Sequence, residues 1–164
     1  MADPIQYTAA VITVSDSRSR GDQEDKSGPA LVQALENLRF SVTQRKVVAD
    51  DQIQIQNLLI QLAREVHLVV TTGGTGVAPR DVTPEATASV CDRLLDGIAE
   101  RMRSEGLKKT SFAALSRGVC GVRGRALILN VPGSPNGAVD SLQAVAPLLP
   151  HVIDLLNGKT EHHN

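Results

Sequence analysis

Residues 7–15 (YTAAVITVS) form an apolar, β-branched run that ends in the polar cluster 15–22 (SDSRSRGD), the pattern of a buried strand followed by a loop. Ser27-Gly28-Pro29 then offers a hydroxyl cap and an early-turn proline, and Leu31, Ala34, Leu35 and Leu38 recur at helical spacing. Residues 41–49 read as a second strand. Asp51 and Gln54 stand at capping-box spacing before Ile55, Leu58, Leu59 and Leu62, which predicts a second helix. Residues 67–72 (HLVVTT) read as a short strand feeding a glycine-rich loop, and Thr83-Pro84-Glu85 sets a hydroxyl cap, a first-turn proline and a dipole-matching carboxylate in order for a third helix. From 96 to 122 the pattern is less regular: Ile98, Met102 and Leu107 predict another helix, and 116–124 reads as a turn-rich excursion. Residues 125–131 (RALILNV) are the last strong strand, and a second loop of glycine and proline follows at 132–137. Leu142, Val145, Ala146 and Leu149 make a helical face that Pro147 and Pro150 break before 152–156, and Gly158 stops the ordered part. The tail 161–164 (EHHN) reads as disordered rather than metal-binding.

Strands alternating with helices imply right-handed crossovers and parallel pairing. The expected fold is therefore α/β, a three-layer sandwich with a mostly parallel sheet covered by helices on both faces. A single domain over 1–164, with an ordered core at 7–158, fits this length. In such sheets ligands bind beyond the carboxyl ends of the strands. The loops after Val14, Val70 and Val131 converge there, and Asp50 ends a fourth strand at the same edge.

Composition narrows the function by exclusion. With 41% hydrophobic and 21% charged residues and a net charge of -1, the chain has the make-up of a soluble globular domain and no electrostatic case for nucleic acid. The sequence pattern shows no apolar stretch of membrane-span length, and Met1-Ala2-Asp3-Pro4 lacks the order of a signal peptide, so the expected location is the cytoplasm. Cys91 and Cys120 stand far apart without clustered histidines, and read as small core residues rather than a disulfide or zinc site. Tyr7, Phe40 and Phe112 are the only aromatics and none lies in a candidate loop, so a bound ring system would be held by backbone groups, aliphatic walls and side-chain amides or hydroxyls.

The densest chemical signal is 71–85 (TTGGTGVAPRDVTPE). Glycines let backbone N–H groups approach an anion without a Cβ in the way, and threonine hydroxyls add donors, so Thr72, Gly73, Gly74, Thr75 and Gly76 read as a phosphate-binding loop, with a tight strand-to-helix turn that needs glycine only for geometry as the alternative. It is neither common phosphate motif: Val77-Ala78 replace the lysine and hydroxyl of a P-loop, and Pro79 stands where the dinucleotide fingerprint needs Gly or Ala. No GxSxG elbow, HExxH helix or EF-hand loop occurs. Asp81 beside a phosphate is repulsive unless a cation lies between them, so it reads either as a metal ligand or as a loop acceptor near Thr83. Asp50 is the freer carboxylate because Asp51 is the better cap, although spacing alone favours a plain surface-loop role for it. Asp16 reads equally as a loop acceptor, Arg80 and Arg117 as surface ion pairs, and 132–137 as a turn.

The strings VITVSDSRSRGDQEDKSGP, TTGGTGVAPRDVTPEAT, ALSRGVCGV and LILNVPGSPNGAVD, in this order, resemble the MogA/MoaB family of molybdenum-cofactor biosynthesis proteins across 7–158. The domains of gephyrin, MoeA and CinA are similar with weaker agreement. The resemblance implies Mg2+-dependent transfer of AMP from ATP to molybdopterin, giving adenylylated molybdopterin and pyrophosphate. The family's essential carboxylates fall on Asp50 and Asp81, as catalytic groups and metal ligands; Thr72 to Gly76 and Arg80 would serve the nucleotide. Ser15, Asp16, Ser116, Arg117, Pro132, Gly133, Ser134, Pro135 and Asn136 would face molybdopterin. The family further implies a trimer or hexamer and a molybdenum-insertion partner. Its MoaB branch, which the compact C-terminal region resembles, includes non-catalytic members that depart from RDVTPE at the arginine and aspartate; Arg80 and Asp81 are kept here. A non-catalytic molybdopterin carrier is the alternative, and a CinA-like nucleotide hydrolase a third.

Overall fold

Tyr7–Val14 (β1) alternates its side chains between two cores, Ala9 and Val11 on one face and Ala10, Ile12 and Val14 on the other, which is why its sequence is apolar at nearly every position. The structure, a computed structural model, describes residues 7–159; the expected tail at 161–164 and the chain start at 1–4 lie outside the described residues. A six-stranded sheet runs in the order β2-β1-β3-β6-β5-β4. Phe40–Val48 (β2), β1, Leu68–Thr72 (β3) and Ala126–Val131 (β6) are parallel, Cys120–Arg123 (β5) runs against them, and Arg93–Leu94 (β4), paired antiparallel to β5, runs with them again.

Helices cover both faces, as the alternating pattern requires. Ser27–Asn37 (α2), Asp96–Leu107 (α5), Pro135–Val145 (α6) and Leu149–Leu156 (α7) bury Leu31, Leu35, Met102, Leu142, Leu149 and Ile153 against β1, β3 and β6. Gln52–Ala63 (α3) and Thr83–Val90 (α4) bury Ile55, Leu59, Leu62 and Ala86 on the opposite face. Each fully buried leucine or isoleucine contributes about 1.5–3 kcal/mol. Asp16–Ser19 (α1) is a single turn in the loop after β1. Cys120 is buried and Cys91 partly so; burial pushes their thiols up to about 12 and about 11, which leaves them inert packing groups.

Several expectations are corrected by tertiary contacts. The stretch 116–124 is no mere excursion, because Cys120–Arg123 pairs with β6 through a two-residue turn whose Gly124 has φ 58°. Ser27 is the first residue of α2 rather than its cap; the carboxylate of Asp25 accepts from Gly28 N at 3.0 Å and from Thr13 Oγ1 at 2.9 Å. Thr83 likewise begins α4 without capping it, and donates instead to Gly73 O at 3.0 Å. The loop expected at 132–137 ends early, since Ser134 caps Gly137 N at 3.1 Å and Pro135 opens α6. The break expected at Pro147 and Pro150 is only a 3-10 turn over Ala146–Leu148, so Pro135–Leu156 runs nearly continuously, with the length and mean hydropathy (1.2) of a membrane span. One face of that run packs on the sheet through Leu142, Val145, Leu149 and Ile153.

Candidate active site

Four parallel strands end side by side, so the loops after Val14, Val48, Thr72 and Val131 share one edge. The loop after β3 lies at its centre. Gly73 has φ 98° and Gly74 φ 68°, and a Cβ on Gly73 would collide with the Val14 carbonyl oxygen. Gly73 N donates to Val131 O at 3.2 Å and Thr72 Oγ1 to Pro132 O at 2.7 Å, which ties the loop to the end of β6. Thr83 N donates to Gly74 O at 3.1 Å, closing the loop from the far side. Between these anchors, the N–H groups of Gly74, Thr75, Gly76 and Val77 make no hydrogen bond among the described residues. They form a run of consecutive open donors of the kind that receives an anion.

Two carboxylates press on this loop. Asp50 Oδ1 lies 3.2 Å from where a Cβ on Gly74 would be, and Asp81 Oδ2 lies 2.9 Å from the equivalent point on Gly76, so side chains at either position would displace an acid. Asp81 is held in a tight turn: Ala78 N donates to its Oδ2 at 3.0 Å and its own N–H donates to Ala78 O at 2.9 Å. Asp50 Oδ2 accepts from Asp16 N at 2.9 Å. The other oxygen of each carboxylate has no partner among the described residues. Burial first, then the charges of Asp16 and Asp81, pushes the Asp50 carboxyl above its ordinary range, whereas hydrogen bonding to Arg80 holds Asp16 below it. Arg80 reaches Asp16 by two bonds of 2.9 Å, from Nε and Nη2.

No group of three or more His, Cys, Asp or Glu side chains able to hold a metal occurs among the described residues. Two carboxylates with open oxygens beside a run of open N–H donors suit Mg2+, which typically takes one or two carboxylates and completes its shell from phosphates and water. Calcium or zinc would need more protein ligands.

On the other side of the glycine loop lies a cleft of about 650 Å3, walled by α5, α6 and the 3-10 turn Ser111–Leu115 and bordered by the end of β6 at Asn130. Gly73, Gly74, Thr75, Gly76, Asp81, Ser116, Pro132, Gly133 and Ser134 line it. Thr72, Pro135 and Asn136 do not, nor do Asp50, Ser15, Asp16 and Arg80, which cluster on the carboxylate side, where Ser15 caps α1 by accepting from Arg18 N at 3.3 Å. Arg117 is also outside the cleft lining, bonded into the glycine loop. Sequence reasoning missed Asn130, whose Nδ2 donates to Thr71 Oγ1 at 2.9 Å and Thr87 Oγ1 at 3.0 Å while Oδ1 accepts from Val119 N at 3.1 Å. A lone amide inside an otherwise apolar strand was the available signal, because a buried polar side chain needs partners.

Known proteins resemble this chain over most of its length. A family model described as "Probable molybdopterin binding domain" matches residues 10–151. The chain is 42% identical over 152 residues to the molybdopterin adenylyltransferase of Helicobacter pylori, covering 90% of this chain and 86% of that one. It is 38% identical over 164 residues to the molybdopterin adenylyltransferase of Escherichia coli K12, covering 90% and 84%. The crystal structure of the molybdopterin biosynthesis enzyme MoaB from Thermus thermophilus superposes with a TM-score of 0.89 at 48% identity, covering 94% of this chain and 98% of that one.

Proposed function

The chain belongs to the molybdopterin-binding family of molybdenum-cofactor biosynthesis, and from that premise we propose that it transfers AMP from ATP to molybdopterin, releasing pyrophosphate. The observation that carries the reading is the run of open N–H groups at 74–77, flanked by Asp50 and Asp81 and adjoining a cleft large enough for a second substrate. The polyphosphate of ATP lies on the open amides, with Arg80 as an additional cation. The cleft walled by Ser116, Pro132, Gly133 and Ser134 takes the pterin, near the Pro135 and Asn136 turn of α6. Ser15 and Asp16, which the family resemblance gives to molybdopterin, are better grouped with Asp50 on the nucleotide side.

Asp50 and Asp81 would hold Mg2+, which supplies charge neutralisation at the phosphates when bound. The glycine loop holds the α-phosphate between the two sides, and the terminal phosphate of molybdopterin attacks it as the bond to pyrophosphate breaks. No covalent catalyst is required, because such transfers depend on positioning and electrostatic stabilisation. A cytoplasmic trimer or hexamer that passes its product to a molybdenum-insertion partner completes the reading.

The test is pyrophosphate release from purified protein supplied with ATP, Mg2+ and molybdopterin. Turnover in the wild type, lost in Asp81→Ala with the circular dichroism spectrum unchanged, supports it. Binding of the pterin without pyrophosphate release would mark a non-catalytic carrier instead. ATP hydrolysis independent of molybdopterin would mark a nucleotide hydrolase.

A further inference from the structure

Arg117 is bonded both to the glycine loop and to the turn that follows it. Its backbone N–H donates to Thr75 O at 2.8 Å, its Nε to Gly76 O at 2.7 Å and its Nη2 to Asp81 O at 2.8 Å, while Nη1 pairs with the Glu85 carboxylate. One residue therefore binds both ends of the segment 75–85. The described chain contains no cis peptide bond. In a trans peptide the C=O and the following N–H point in opposite directions. Carbonyls of Thr75 and Gly76 turned onto Arg117 thus turn the N–H groups of Gly76 and Val77 the other way.

We propose that Arg117 is a positioning residue that presents the open amides of the loop and holds Asp81 in place, rather than a contact to the pterin. The proposal rests on the nucleotide reading given above and deepens it. Glu85 is the partner that fixes the fork: it lies in the first turn of α4, and its pairing with Arg117 holds its carboxyl below the ordinary range. Behind Arg117, Arg103 Nη1 donates to Ser116 O at 3.3 Å and Gly118 O at 2.9 Å, anchoring the segment to α5. Ser116 and Gly118 line the cleft. The cleft wall and the phosphate loop are consequently one mechanical unit joined at Arg117. A lysine would keep the charge but lose the planar fork that reaches three acceptors at once.

The experiment compares wild type, Arg117→Lys, Arg117→Ala and Glu85→Gln. In the ligand-free protein, NMR amide exchange is read at Ala78 and Asp81, whose N–H groups close the Asp81 turn. With substrates, kcat and the KM values for ATP and molybdopterin are measured separately, together with Kd for Mg2+ and a non-hydrolysable ATP analogue. Expected are faster exchange at both amides in both Arg117 variants. The affinity for the analogue should fall about tenfold or more, the size of one lost charge-assisted bond. The KM for molybdopterin should stay within about twofold, and Glu85→Gln should show a smaller loss of the same kind. Methylguanidinium added to Arg117→Ala should restore analogue binding in part. Unchanged exchange at Ala78 and Asp81 would overturn the proposal, as would a rise confined to the molybdopterin KM. If the wild type itself fails to bind the ATP analogue while the variants still loosen the turn, the nucleotide reading falls and the clamp stands.

Discussion

Asp16 and Asp50 interlock: Asp16 N donates to Asp50 Oδ2 at 2.9 Å, and Asp50 N donates to Asp16 Oδ1 at 3.0 Å. Two acids from loops 34 residues apart therefore fix each other through their backbones, despite their like charge. Arg80 offsets the repulsion by bonding both Asp16 oxygens. The arrangement leaves Asp50 Oδ1 turned toward the glycine loop, and makes the Asp16 carboxylate the support of the Asp50 backbone, although its charge disfavours an ionised Asp50.

Removing that support separates positioning from charge. Asp16→Asn keeps an acceptor for the Asp50 N–H, whereas Asp16→Ala leaves that N–H without one. With Asp50 as the proposed Mg2+ ligand, Asp16→Ala is expected to lower kcat/KM for ATP by about 10- to 100-fold, the usual cost of removing the group that orients a metal ligand. Asp16→Asn should lose less. Melting temperatures of the two variants should differ little, since the Arg80 pair is exposed and such pairs contribute little stability. Equal kinetic losses in both variants would assign the effect to charge rather than to orientation.

Glycine at position 74 is dictated by space as well as by φ. A Cβ there would collide with Thr83 Oγ1 and come within 3.2 Å of Asp50 Oδ1, and the backbone has φ 68°. Gly124 has a similar φ of 58° but nothing within 4 Å of a Cβ. Gly124→Ala should therefore cost only the left-handed penalty, about 1 kcal/mol. Gly74→Ala should cost about 3 kcal/mol or more and also displace Asp50. Urea unfolding of both variants gives the comparison, and equal costs would show that the loop relaxes around the added methyl.

Elements whose side chains face a core were legible in the sequence, because burial writes a period into the chain. β1 and β3 follow from runs rich in β-branched residues, and α3 from Asp51, which does accept from Gln54 N at 2.9 Å. The convergence of strand ends followed from the alternation of strands and helices. What was not legible is what depends on partners distant in sequence. β4 is two residues long with both exposed, too short to carry a pattern, and β5 exists as a strand only by pairing with β6. Thr83 looked like a cap because its local context is that of one; its hydroxyl is instead drawn to Gly73 O, across a loop whose path no local rule describes. The separation of Ser15 and Asp16 from the cleft residues depends on which side of the glycine loop each strand end falls, which motif order cannot express.

Alkaline pH should reveal the contact between the chain's first described residue and its last helix. Tyr7 Oη donates to Asp154 Oδ1 at 2.7 Å, and burial, followed by this hydrogen bond and the Asp154 charge, pushes the phenol up to about 12. A raised value in the folded state means that folding favours the protonated phenol. The resulting stability is present in full below pH ~10, the value for an unfolded tyrosine. It is lost as pH rises through about 12. The sequence contains one tyrosine and no tryptophan, so phenolate absorbance in the near ultraviolet reports this group alone. Its midpoint should lie near pH 12 in the native protein and near the ordinary value in urea. Tyr7→Phe should flatten the loss of stability above pH ~10, and a native midpoint at the unfolded value would remove the contact from the account.

Asn130 should prove the most sensitive polar residue of the core. It is 1% exposed, lies in β6 between apolar neighbours, and joins β3 through Thr71, α4 through Thr87 and the 118–119 segment through Val119. Every buried side-chain polar atom among the described residues has a partner, and losing Asn130 breaks three of these bonds at once. Asn130→Leu keeps nearly the same volume, so a cavity is not the issue. It leaves Val119 N–H unsatisfied and deprives two buried hydroxyls of their donor. An unsatisfied buried group costs about 1–3 kcal/mol, so the substitution should lower unfolding free energy by about 2–4 kcal/mol. Asn130→Asp should be worse at neutral pH, since it replaces the donor with a buried charge. The Asn130 side chain faces α4, on the opposite side of the sheet from α5 and α6, so the KM for molybdopterin should stay within about twofold in either variant. A molybdopterin KM rising together with the stability loss would show that the change carries through the sheet to the cleft, and no loss of stability would mean that water or the hydroxyls themselves complete the network.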